Sequence, residues 1–211
     1  MPLPDPETSL EHWLDAIAGP TAAPGGGAAA AIAGALGAAL VEMVAGLTAD
    51  REKYASVREL MTRATQKAER LRAGMMVLAA RDARAFEAFT RALALPAATS
   101  EERERRSRAK TDALGAGAAV QLELLAHLAQ IAELSLEIAE NGLSTAVGDA
   151  ATGAFLALGA ARSAYWSVRS NLAEVGGGMA DRERVGAAKT LLDRVEDAER
   201  RARHLLEARI P

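Results

Sequence analysis

An all-α fold, an antiparallel bundle of five to six helices, follows from three features of the sequence. Alanine dominates the apolar residues, while aromatics are confined to two Trp, two Tyr and three Phe. A core so poor in bulk must bring backbones close together, which packed helices do better than a sheet. Runs of alternating Val, Ile, Thr and aromatic residues, the signature of strands, are absent. Long helical segments joined by short connections complete the pattern of a bundle, and a chain of 211 residues suffices for one domain, 1–211, with a substantial core.

The first helix is expected over about residues 7–18, with Leu10, Trp13, Leu14 and Ile17 on one face. "GPTAAPGGG" interrupts it. The second runs over about 25–47 and the third over about 51–93, stopping before Pro96, with a kink expected near Gly74. The fourth opens at "TSEE", where Thr99 and Glu102 fit a capping box, and ends near residue 140 at an Asn-Gly stop. The fifth covers about 144–174 and breaks at Gly176, Gly177 and Gly178. The sixth, about 181–208, places Val185, Leu191, Leu192, Val195 and Leu205 toward the core and charge outward.

The stretch "PTAAPGGGAAAAIAGALGAALVEMVAGLT" is the most unusual part of the chain. It is long enough to span a bilayer, yet Ile32, Leu36, Leu40 and Val41 are the only large apolar side chains between Ala22 and Val41. No basic flank marks an orientation and no second span is expected, so no membrane partner is expected. Gly27, Ala31, Gly34 and Ala38 recur at helical spacing and form a smooth stripe. Ile32, Leu36, Leu40, Met43 and Leu47 form a second stripe, read as the ordinary core face. Glycine within a helix costs about 1 kcal/mol relative to alanine, so Gly34 and Gly37 call for a close neighbour: another helix, a second subunit or a flat ligand.

A formal charge of −3 argues against a nucleic-acid partner, which needs a concentrated basic face. Without cysteine there is no thiolate nucleophile, no disulfide and no Cys-based zinc site. His12, His127 and His204 lack metal-ligand spacing, so no metal is expected. The amino terminus lacks the basic start and apolar run of a signal peptide, and a cytoplasmic protein is expected. Asp149, in "STAVGDAATGAF", lies among small residues, either as a site carboxylate or as a partner of a helix N-terminus. Asp82, in "AARDARAFEAF", is a second carboxylate candidate, with pairing to an arginine as the simpler reading. Asn171 either bonds across the bundle or faces water at a helix end. Gly25, Gly26 and Gly27 either form a turn or present free N–H groups at a helix start. Arg51 and Lys53 either meet an acidic ligand tail or are ordinary surface charges.

Taken in order, that glycine-rich stretch, "REKYA", "DARAFEAF", "ALPAATSEERERR" and "AVGDAATGAFLALGAARSAYWSVRSNL" resemble the cyclodeaminase/methenyltetrahydrofolate cyclohydrolase family over most of the chain. The resemblance implies a homodimeric helical bundle whose partner molecule is a tetrahydrofolate derivative, bound as substrate, with no tightly bound cofactor. It implies either hydrolysis of methenyl- to 10-formyltetrahydrofolate or release of ammonia from a formimino group. A non-catalytic folate-binding or interaction module is the alternative from another class. The family's glycine turn falls on Gly25, Gly26 and Gly27, its lysine–tyrosine step on Lys53 and Tyr54, and its aspartates on Asp82 and Asp149. Its late asparagine falls on Asn171. Arg51 or Lys53 would meet the glutamate tail of the folate, across a subunit boundary. Gly46 stands where the family usually has asparagine, and Gly148 where it has serine before the aspartate.

Overall fold

Thr99 begins the longest helix with the capping box its sequence announces. Glu102 N–H donates to Thr99 Oγ1 at 3.1 Å, and Thr99 N–H donates to Glu102 Oε2 at 3.0 Å, a reciprocal closure worth about 1 kcal/mol. The computed structural model describes residues 3–209. Its helices are α1 (Leu10–Ala18), α2 (Gly26–Ala49), α3 (Arg58–Leu93), α4 (Ser100–Asn141), α5 (Val147–Val175) and α6 (Met179–Arg209). Short 3₁₀ turns, Glu52–Val57 and Ser144–Ala146, precede α3 and α5. Gly176 and Gly177 follow α5 with φ of 121° and 64°, a conformation that side-chain-bearing residues rarely adopt.

Consecutive helices from α2 to α6 run antiparallel, and the glycines record their register. Gly27 lies against Asp82 of α3 and Gln121 of α4, while Gly34 lies against Met75 and Leu128. One heptad along α2 is therefore one heptad backward along α3 and forward along α4. On the other side Gly37 meets Gly153 of α5, whose carbonyl oxygen would stand 2.9 Å from a Cβ at Gly37. The small stripe Gly27, Ala31, Gly34, Ala38 is thus the buried face of α2, and the close neighbour its glycines require is mostly another helix of the same chain. Ala188, Leu192, Val195, Ala198 and Ala202 set α6 into the groove between α4 and α5. Ion pairs Arg194–Glu133 and Arg201–Glu140 flank that seam. Val185, Leu191 and Leu205 pack against the core while partly buried.

Several sequence expectations are corrected. Leu36, Met43 and Leu47 are not core residues; they are 48%, 43% and 44% exposed. Only the narrow side of α2 fits between α3, α4 and α5, so Leu36, Met43 and Leu47 turn outward and Leu40 lies at the rim, while Ile32, Val41 and Val44 are buried. In α1, Trp13 is fully buried and Ile17 packs on the core, but Leu10 and Leu14 face outward. The third helix has no break at Gly74, where a Cβ would meet His127 Nε2 at 3.2 Å; that glycine makes room for a side chain. The break lies at Tyr54, whose φ of −108° and ψ of 18° are non-helical. A second stretch long and apolar enough to cross a membrane does exist, within α4, but in both α2 and α4 half or more of that window is buried inside the bundle.

Candidate functional site

Asp82 lies on α3 level with the start of α2. Among the described residues no arginine pairs with it, contrary to the simpler sequence reading: Arg81 turns away to Glu123, 2.7 Å distant. Gln121 Nε2 donates to Asp82 Oδ1, and the backbone N–H of Ala28 donates to the same carboxyl. Asp82 thereby serves α2 as a cap supplied from another helix, since Gly25, the N-cap residue, has no side chain to do so. Gly27 is glycine because a Cβ there would overlap both Asp82 and Gln121. Burial pushes the Asp82 carboxyl above its ordinary value, and the bonds from Gln121 and Ala28 pull it partway back.

Beyond Asp82, where α2 has not yet begun, α3, α4 and α5 are left uncovered and enclose a cleft of about 190 Å³. Phe86 and Phe89, with ring centroids 6.0 Å apart, give it an aromatic wall. Ser170, Asn171 and Glu174 of α5 give it a polar one, and Gly117 of α4 forms its floor. Asn171 reaches across to α4: a Cβ at Gly117 would come within 2.9 Å of Asn171 Nδ2. The structure therefore sets Asp82 and Asn171 in one cleft, with Gly27 of the Gly25–Gly26–Gly27 turn packed against Asp82. The N–H groups of that turn are not an open anion cradle, because the Asp82 carboxyl already stands at the helix start.

Arg51, Lys53 and Asp149 lie elsewhere. Asp149 is exposed on the first turn of α5, separated from Asn171 by six turns of helix, roughly 33 Å at 1.5 Å per residue. Lys53 and Arg51 are exposed just past the far end of α2, and Lys53 Nζ sits 5.8 Å from the Tyr54 ring centroid. Tyr54 Oη accepts the Ser144 N–H at 3.2 Å, so this end is tied together through backbone. Within one protomer Asp82 and Asp149 are not a carboxylate pair. A larger groove between α4 and α6, about 690 Å³, is lined by Glu133–Arg194 and Glu140–Arg201, charges already engaged with each other.

Sequence reasoning missed Gln121, which is 1% exposed. Its signal was readable: one amide in the apolar stripe Leu114, Ala118, Leu125, Leu128 of α4, where a polar group must have a partner.

Comparison with known proteins identifies the family and the fold. The family model described as formiminotransferase-cyclodeaminase matches residues 9–193. A methenyltetrahydrofolate cyclohydrolase of Methylorubrum extorquens is 36% identical over 163 residues, 77% of this chain and 78% of that protein. The formimidoyltransferase-cyclodeaminase of Mus musculus is 34% identical over 80% of this chain, which spans only 31% of that longer protein. The crystal structure of formiminotetrahydrofolate cyclodeaminase from Thermotoga maritima superposes with a TM-score of 0.86 at 25% identity, covering 96% of this chain and 97% of that one. The chain belongs to the formiminotransferase-cyclodeaminase family.

Proposed function

We propose that the chain is a methenyltetrahydrofolate cyclohydrolase, adding water to the 5,10-methenyl bridge to give 10-formyltetrahydrofolate. The observation that carries this reading is the Asp82 carboxyl, desolvated at the mouth of a cleft with one aromatic and one polar wall. The methenyl carbon shares the positive charge of two nitrogens. Water oxygen bonds to that carbon while Asp82 takes one of its protons; Asp82 then returns the proton to N5 as the C–N5 bond breaks. The remaining hydroxyl proton leaves to solvent as the formyl carbonyl forms on N10. A carboxyl raised by burial holds a proton better in this exchange than an ordinary surface carboxylate. Phe86 and Phe89 offer faces to a flat ring, and the Asn171 amide offers a donor and an acceptor. The folate is itself the substrate, and the reaction draws on no further cofactor.

A cleft of about 190 Å³ holds the reacting end of a folate; pockets that enclose whole ligands run to about 300–1,000 Å³. The remainder is accommodated by a homodimer. Leu36, Leu40, Met43 and Leu47 form an outward apolar stripe along α2, and two copies packing antiparallel about its middle exchange ends. The two-fold then lays Arg51, Lys53 and Asp149 of the partner subunit beside the Asp82 cleft, which α2 leaves open. Asp149 favours the cationic bridge, and Arg51 or Lys53 meets the glutamate tail. The setting is the cytoplasm.

A purified-protein panel tests the reading. Methenyltetrahydrofolate should lose its absorbance faster than in buffer, and Asp82→Asn should abolish the difference. Ammonia from formiminotetrahydrofolate instead would establish the cyclodeaminase reading, which the fold match to the Thermotoga maritima enzyme favours. Binding without either turnover would leave a folate-binding module.

A further inference from the structure

Gln121 has no task in the reaction as drawn, yet its amide is more completely buried than the carboxyl it touches. Nε2 donates to Asp82, whereas Oε1, equally shielded, has no partner among the described residues. An ionised carboxylate only accepts hydrogen bonds, so it can use Nε2 and never Oε1; a protonated carboxyl also donates, and Oε1 is then the acceptor it needs. Lysine or arginine at this position would hold Asp82 ionised, and an apolar residue would hold it protonated. An amide alone among neutral side chains of this length presents a donor and an acceptor in one plane. The α2 backbone at Gly27 closes over both side chains, keeping the two groups facing each other.

We infer that Gln121 is a positioning residue for Asp82, turning its amide over as the carboxyl gains and loses the proton, so that each protonation state is hydrogen-bonded. This rests on the reading of Asp82 as the acid–base group. Few other charges compete for control of that proton. From α5, Glu174 lines the cleft. On α3, Arg81 is committed to Glu123 of α4 and Arg84 is exposed, with its charge felt at Asp5. Over this region α2 contributes only backbone N–H groups and small side chains.

The test follows Asp82 directly, by NMR titration of the carboxyl in protein carrying ¹³C-labelled aspartate, beside the pH dependence of kcat/KM. Gln121→Met removes the bond to the ionised form and should raise both midpoints by about one pH unit. Gln121→Glu places two carboxyls around one proton and should raise them further. In the unaltered protein the Gln121 side-chain NH₂ resonances should move with the same midpoint as Asp82, a readout that survives if either variant fails to fold. Midpoints indifferent to both substitutions, or a Gln121 amide that ignores the Asp82 titration, would overturn the inference. Should Asp82 respond as expected while no tetrahydrofolate is turned over, the proposed function falls and the positioning role stands. Normal turnover with an unresponsive Asp82 sinks the positioning role alone.

Discussion

The two ends of α2 do opposite things, one built from glycine and alanine and the other carrying Val44, Leu47 and Thr48. At the amino end a glycine lets side chains in: Gly27 admits Asp82 and Gln121 against bare backbone, and a carboxyl is left half-buried beside an open cleft. At the carboxyl end the polar groups are consumed by structure. Thr48 Oγ1 donates to Val44 O at 2.7 Å and accepts the Leu143 N–H at 2.9 Å. Gly142 fits beneath it, because a Cβ there would stand 2.6 Å from the Ile138 carbonyl oxygen. Satisfied polar groups tie chain segments together; a desolvated one at an opening is available for chemistry. The charges near the second end, Arg51, Lys53 and Asp149, stay in solvent and act only if another chain brings them a partner.

Mixing two inactive variants tests that division most severely. Asp82→Asn and Asp149→Asn should each lose at least about a hundredfold in kcat. Co-refolded in equal amounts they should recover about a quarter of wild-type activity, because half the dimers pair one variant with the other and each of those holds one intact site. No recovery would place both carboxylates in the service of one protomer or remove Asp149 from the site. Met43→Glu should shift the protein toward monomer in sedimentation and reduce turnover with it; unchanged mass would clear the α2 stripe of an interface role.

Smaller effects probe packing. Gly37→Ala drives a methyl against the Gly153 carbonyl and should cost about 1–3 kcal/mol by urea denaturation, outweighing its gain in helix propensity. Asp82→Asn should change stability in the direction opposite to its effect on activity. The folded carboxyl is raised above its unfolded value, so its contribution to stability is fully present below the unfolded pKa and fades as pH rises through the folded one. The variant should therefore gain on wild type in Tm as pH rises from about 4, the ordinary aspartate value, through the raised folded one; a widening deficit would contradict the burial that raises Asp82. Gly46→Ala meets nothing within 4 Å and should add about 0.5–1 kcal/mol. A loss there would mean that another chain presses on this face.

Six helices, their order, the capping box of α4 and the glycine stops after α4 and α5 were legible in the sequence because each depends on residues a few positions apart: Thr99 with Glu102, the 3.6-residue periodicity, glycines after the last turn. Asp82, Asn171 and the triple glycine were also legible as candidates, and the fold sets the first two in one cleft with Gly27 packed against Asp82. Which face of α2 points inward was decided only by packing. Periodicity finds two stripes on one helix, and four helices competing for the centre select the thinner one. The pairing of Asp82 with Gln121 was likewise invisible, since the two lie 39 positions apart and meet because α3 and α4 run antiparallel beneath Gly27. Local structure is written in neighbouring residues, but the burial that raises the Asp82 carboxyl above its ordinary value comes from chain segments distant in sequence.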